Sequence, residues 1–421
     1  MRSVRSTCLG CGCTCDDIDV RVDGGRIVDA RHACPLGVAW FGDGVVPSSS
    51  RIAGGDAAAD AAIDAAARIL AEARRPLVYL AGDLSCEAQR EGIALADLQR
   101  AMLGSLTAST VMPSILAAQE LGRATATLGE IRNRADVLVF WGVDPGSRYP
   151  RYWTRYAPEP AGVHVPGGRR SRTVIAVDVG DARGPADADR RLHLDPRREV
   201  AVATLMTAMA GSAPAAGMPL NPESVEDDAA SAVRAMQAGR YVTIVADAEP
   251  DESAAPRDAG RAAALIALAQ ALNATTRCAL SVLRAGGNRS GADACATAQT
   301  GYPAAVDFSA GYPRYRPHEI GRGDAPAPDA VIVLGAAEAV PPPVLGALRA
   351  ARRIAIGPRA STGPLADADV VVDTGVAGIH EAGTAVRMDD IPLPLRPVLP
   401  GPLTATAAIR RLRDRVSLRV M

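Results

Sequence analysis

Seven short, almost uninterrupted apolar runs constrain the fold more than any other feature of the chain. They are PLVYLAG (76–82), DVLVFWG (136–142), TVIAVDV (173–179), YVTIVAD (241–247), DAVIVLG (329–335), RRIAIGP (352–358) and DVVVDTG (369–375). A strand with one wet face alternates apolar and polar residues, whereas a strand covered on both faces does not. Ala-rich helical patterns fall between the runs, as near 56–74 and 85–102. The alternation predicts an α/β protein with Rossmann-like parallel sheets, whose ligands belong at the carboxyl ends of the strands. Ahead of these units, DIDVRVDGGRIVDA (17–30) reads as a hairpin around Asp23-Gly24-Gly25, so the start of the chain forms a small β-rich cap. Pro/Ala/Ser-rich stretches at 212–224 and 248–257 read as linkers, and a Pro-rich stretch at 392–402 precedes a short terminal helix. The expected domains are a cysteine-rich cap over 1–52, a first α/β domain over 53–215, with room for part of the later chain to join it, and a second over 216–421 with a C-terminal extension.

Composition narrows the function classes. Forty-six basic against 47 acidic residues leave a net charge of −1, which lacks the electrostatic footprint of a nucleic-acid binder. Every one of those basic residues is Arg, so Schiff-base and P-loop lysine chemistry are excluded. No stretch approaches the ~20 apolar residues of a membrane span, and the N-terminus lacks a signal-like apolar segment, so a cytoplasmic protein without membrane contact is expected.

Five of the eight cysteines lie in the first 34 residues. Cys8-x2-Cys11-x3-Cys15, then Cys34 across the hairpin, has the spacing of a four-thiolate site. A [4Fe-4S] cluster needs four converging thiolates, a structural zinc site would use the same donors, and a set of unligated thiols is the plain alternative. Cys13 reads as a bystander, and Cys86, at a helix start, as a buried thiol. No HExxH or paired-His pattern occurs, so a zinc hydrolase centre is not expected on this chain.

Longer strings narrow the reading. CLGCGCTCDDIDV, RPLVYLAGDLSCEAQREGI (75–93), TLGEIRNRADVLVFWGVDPGSRYPRYWTRY (127–156), the block 286–319 with TGYPAAVDFSAGYPRY, and AGTAVRMDDIPLPLRP (382–397) together resemble the B subunit of formylmethanofuran dehydrogenase. The resemblance implies a molybdopterin-oxidoreductase-like fold with an iron–sulfur-type cap. In the archaeal branch it implies a [4Fe-4S] cluster beside a molybdopterin or tungstopterin centre. In a bacterial branch of methylotrophs it implies a component of a formyltransferase/hydrolase complex, with amidohydrolase-like A, C and formyltransferase D partners, acting in tetrahydromethanopterin-linked C1 metabolism.

Two departures from the redox-active pattern favour the second branch. Where that pattern places a metal-ligating Cys and a neighbouring His, this chain has Thr110, Val111 and Met112 within TASTVMPSILAAQ (107–119). Val has no donor atom, and a thioether is a poor ligand for a hard, high-valent metal. The fourth cluster cysteine is followed by Pro35 where the family has a basic residue, and proline offers neither charge nor donor. Molybdopterin and tungstopterin are therefore expected to be absent, and no catalytic residue is assigned; a redox-active dehydrogenase subunit is the alternative. Arg148, Arg151 and Arg155 could pair with anions but read better as structural or subunit contacts. Tyr302, Tyr312, Arg314 and Tyr315 have the composition of an interface centre, against internal packing as the alternative.

Overall fold

All seven apolar runs are strands. The computed structural model describes residues 1–108, 110–211, 225–249, 258–316 and 327–420, and the statements below concern these. Two units divide the chain: Met1–Ser109 with Ala285–Met421, and Thr110–Arg284.

The first unit opens with β1 (Arg2–Ser6), β2 (Ile18–Asp23) and β3 (Arg26–Arg31), an antiparallel sheet in that order. The hairpin is as the sequence predicts: Asp23 pairs with Arg26, and Gly24 and Gly25 both take positive φ (54° and 75°), the geometry of a two-residue turn that matches strand twist. Strand β1 is unforeseen, because RSVRS carries a single apolar residue. Next come β4 (Ser50–Ile52), β5 (Gly55–Asp56), β6 (Pro76–Leu80) and β7 (Met102–Ser105).

The second unit carries β8 (Val137–Trp141), β9 (Thr173–Val179), β10 (Arg190–Leu194), β11 (Tyr241–Asp247) and β12 (Arg277–Leu283), a parallel sheet in the order β10-β9-β8-β11-β12. Its core brings Val139, Trp141, Val177 and Ile244 against Val202 and Met206 of helix Glu199–Gly211 and Leu265 and Leu268 of helix Arg261–Leu272.

The chain then returns to the first unit with β13 (Val306–Asp307), β14 (Arg314–Tyr315), β15 (Ala330–Leu334), β16 (Arg352–Gly357) and β17 (Val370–Asp373). They complete one sheet in the order β14-β13-β7-β6-β15-β16-β17-β4-β5, parallel from β7 to β17. The units therefore cut across the ranges 53–215 and 216–421, because β15 pairs with β6, Leu334 beside Leu80. Residues 212–224, which hold the expected boundary, lie outside the described residues, as do 250–257. The Pro-rich stretch contributes a strand, β19 (Pro392–Leu395), paired with β18 (Gly383–Val386) in a two-stranded ribbon, where proline's missing N–H is tolerated at an edge. The terminal helix, Ala405–Val420, runs for 16 residues and is not short.

Uninterrupted apolar sequence is explained by two separate cores on this sheet. Val78, Leu80, Ile332 and Ile354 face helices Ala59–Glu72, Cys86–Leu98 and Ala405–Val420, whereas Leu77, Tyr79, Val331 and Ala355 face Leu348 and Leu365. Each fully buried Val, Leu or Ile contributes about 1.5–3 kcal/mol, so both faces add to stability. No described helix is long and apolar enough to cross a membrane.

His380 ties the end of the cap, at Gly44, to the later part of this unit. Its Nδ1 accepts the Val376 N–H at 3.1 Å, which leaves Nε2–H to donate to the Gly44 carbonyl at 2.8 Å. That arrangement requires the neutral ring. Burial, followed by Arg359, holds its pKa below the usual value despite the Gly44 bond. The unfolded chain then takes up a proton near pH 6.5 that the folded chain refuses, so stability is complete above this pH and falls as the solution is acidified below it. Thermal unfolding from pH 7.5 to 5 should show this slope in the wild type and a shallower one in His380→Gln; parallel slopes would remove His380 from the account.

Candidate functional site

The cysteine loop joins β1 to β2 and is closed by its own backbone: Cys8 N–H donates to Cys15 O at 2.9 Å and Thr14 N–H to Cys11 O at 3.1 Å, with Thr14 left-handed. Gly10 N–H points at the Cys8 sulfur, 3.3 Å away. Cys34 caps helix Pro35–Phe41, and Gly37 in that helix leaves room for the Cys8 sulfur; a Cβ there would lie 3.3 Å from it. Burial raises the Cys8 thiol above its usual range, the Gly10 bond opposes this, and Cys11, Cys15 and Cys34 each add to the rise. Cys8 thus interacts with each of the other three thiols, and all four are unbridged. Cys13 is fully buried. Among the described residues no group of three or more His, Cys, Asp or Glu side chains is set to hold a metal ion.

A neighbouring loop follows β12. Gly287 N–H donates to Leu9 O at 2.8 Å, and a Cβ on Gly286 would fall 2.3 Å from that same oxygen. Gly286 is thus required for close approach to the cysteine loop, a role its sequence context, which suggests turn duty alone, does not reveal. Asp83, after β6, is a second residue that sequence reasoning misses. It accepts from Trp40 Nε1 at 3.3 Å and donates its N–H to Gly287 O at 3.0 Å, and burial pushes its carboxyl above the usual range. Only a lone Asp in AGDLS marks it in sequence. Met388 N–H reaches Gly12 O at 3.1 Å, so the RMDD segment also abuts the cysteine loop.

Thr110, Val111 and Met112 belong to the second unit. Thr110 is exposed, Val111 is packed in the core with Val137 and Val139, and Met112, also buried, begins helix Met112–Leu121. The middle position therefore offers apolar packing and no ligand atom.

Two arginines of SRYPRYWTRY, Arg148 and Arg155, have partners within their unit. Arg148 forms an ion pair with buried Asp247, donates to Glu249 O at 2.7 Å and lies over the Tyr149 ring. Arg155 lies over the Tyr156 ring at 5.1 Å, and Arg151 sits at the N-cap of helix Tyr152–Arg155. The Arg148 charge is thus compensated within the unit, a structural role. The tyrosine segment also divides. Tyr302 and Tyr315 stack on each other, centroids 5.7 Å apart, and Arg314 pairs with Asp307 and with Ser309 Oγ at 3.0 Å. Burial would raise the Asp307 carboxyl, but bonds from Ser309 and the Arg314 guanidinium hold it below the usual range. Of the four residues, Tyr312 is the one turned to solvent, 59% exposed. The end of this block, from 317, lies outside the described residues.

No protein-family model matches the chain. It is 31% identical over 422 residues to the B subunit of the tungsten-containing formylmethanofuran dehydrogenase 2 of Methanocaldococcus jannaschii, covering 94% of this chain and 93% of that one. The protein of the same description from Methanococcus maripaludis is 30% identical over 417 residues, with the same coverage. In fold, the chain matches one from the crystal structure of the formyltransferase/hydrolase complex of Methylorubrum extorquens with methylofuran. The TM-score is 0.69 and the identity 23%, over 87% of this chain and 98% of that chain.

Proposed function

Because the chain belongs to the family of formylmethanofuran dehydrogenase B subunits, we propose that it is a non-catalytic, structural component of a formyltransferase/hydrolase complex. In this reading the amidohydrolase-like A, C and formyltransferase D partners move the formyl group from its tetrahydromethanopterin carrier to a methanofuran-like carrier and release it as formate in the cytoplasm. The stretch Thr110, Val111 and Met112 carries the proposal: where the redox-active pattern has a thiolate it supplies none, and Val111 is a core side chain without a donor atom. The likeness in fold to a chain of such a complex supports it.

Molybdopterin or tungstopterin does not fit the residues present. Neither Thr110 nor Met112 supplies a thiolate, and Pro35 leaves no cation beside Cys34. The cap differs, since Cys8, Cys11, Cys15 and Cys34 have the donor chemistry for a [4Fe-4S] cluster and would hold one on bringing their four sulfurs together. A bound cluster would supply one-electron transfer; this chain's own contribution is the Gly10 N–H aimed at the Cys8 sulfur. The competing reading, a redox-active dehydrogenase subunit, is favoured by the names of both sequence relatives.

Co-expression with the three partner proteins tests the proposal. Omitting this chain should abolish co-purification of the partners, while Thr110→Ala in the full assembly should leave formate release within about twofold, as expected for an exposed surface change. Tyr312→Arg, at the one tyrosine facing solvent, should weaken co-purification. Formate release lost in Thr110→Ala with assembly intact would assign chemistry to the old metal position and refute the structural role.

A further inference from the structure

Cys86 and Cys295, 209 residues apart in sequence, meet inside the first unit. Cys86 opens helix Cys86–Leu98, whose Ser85 cap accepts the Ala88 N–H at 3.2 Å, and Cys295 lies midway along helix Arg289–Thr300. The Cys295 thiol donates to the Cys86 carbonyl oxygen at 3.6 Å, which brings the two cysteines together. A second donor reaches the Cys86 sulfur: Asn288 Nδ2 stands 3.6 Å away while also donating to Leu84 O at 2.8 Å. Asn288 is itself held firmly, since its Oδ1 accepts Val386 N–H at 2.8 Å and its carbonyl accepts Gln89 Nε2 at 3.0 Å.

The two sulfurs are therefore unequal. The Cys86 sulfur accepts from Asn288 Nδ2, and its neighbours, Cys295 first and Asn288 after burial, hold it below the usual thiol range. Cys295 is held above that range, by its bond to Cys86 first and burial second. One nucleophilic sulfur beside one proton-bearing sulfur is the asymmetry that thiol–disulfide couples use. Both residues are buried in the core of the unit, each 8% exposed.

We propose that Cys86 and Cys295 are a modification site at which a peroxide forms an intrachain disulfide. The Cys86 sulfur attacks one peroxide oxygen and the O–O bond breaks; the departing oxygen takes the Cys86 proton and leaves as water, and Cys86 becomes a sulfenic acid. The Cys295 sulfur then attacks the Cys86 sulfur, the S–O bond breaks, and the released hydroxide takes the Cys295 proton to give a second water. Two thiols lose two electrons and one hydrogen peroxide becomes two waters. The bond ties the start of one helix to the middle of the other and withdraws the Cys86 sulfur from Asn288.

The test is peptide mapping of the full chain in its complex after treatment with stoichiometric hydrogen peroxide, using cleavage at arginine. Cys86 and Cys295 fall in separate peptides, neither holding another cysteine. The expected result is a cross-linked pair, lighter than the sum by two hydrogens and separated by reductant, formed at least tenfold faster than any change at Cys278, a thiol pushed up to about 12 by burial alone. In Cys295→Ala, which needs no new polar group in the core, dimedone should trap Cys86 as sulfenic acid. Separate alkylated peptides after peroxide treatment, or a Cys86 in Cys295→Ala that dimedone does not label, would overturn the proposal.

Discussion

Replacing Glu199 by alanine is expected to destabilise the second unit by about 3–5 kcal/mol, the cost of leaving a buried charge without its partner. Glu199 accepts Trp141 Nε1–H at 2.8 Å and Arg261 Nε–H at 2.7 Å, and its side chain is 3% exposed. Arg261 also donates to the carbonyls of Asp247 and Trp141, both at 3.1 Å, and so binds the ends of β11 and β8 together. Without the carboxylate, the guanidinium is left among main-chain carbonyls away from water. Glu199→Gln keeps an acceptor and should cost less. Arg410→Ala is the contrast: Arg410 meets Glu91 at 2.9 Å, but its side chain is 56% exposed, and such surface pairs contribute about 0–1 kcal/mol. Denaturant unfolding of the full chain measures all three. A loss below about 1 kcal/mol in Glu199→Ala would mean that water reaches the pair.

What could be read from sequence follows from how local each signal is. The seven strands were legible because their burial on both faces is written in consecutive residues, and the β2–β3 turn because Gly24 and Gly25 occupy positions that need positive φ. The discontinuous first unit was not legible: the pairing of Leu80 with Leu334 joins residues some 250 apart, and either sheet could have claimed either run. The same distance hid the partners of the arginines. Arg148 looks available in SRYPRYWTRY until Asp247 is placed beside it, 99 residues away in sequence. The cysteine loop was legible as a four-thiol spacing, with a short hairpin between it and residue 34. Its close contact with Gly286 was not, since a glycine that admits a neighbouring backbone looks like one that makes a turn.

The proposed role gives this family member no metal–pterin centre and makes it a structural component of a complex. The stretch 110–112 decides the chemistry: it holds no thiolate, and Val111, its middle residue, is packed in the core of the second unit. The loss expected is correspondingly large, with dye-linked formate oxidation at background in an otherwise active assembly. The most direct measurement is metal and pterin analysis of the intact complex, purified from cells supplied with both molybdate and tungstate. The account predicts neither metal nor pterin at a stoichiometric level, with formate still released from the formyl carrier. One tungsten or molybdenum and its pterin per copy of this chain, together with dye-linked formate oxidation, would contradict it.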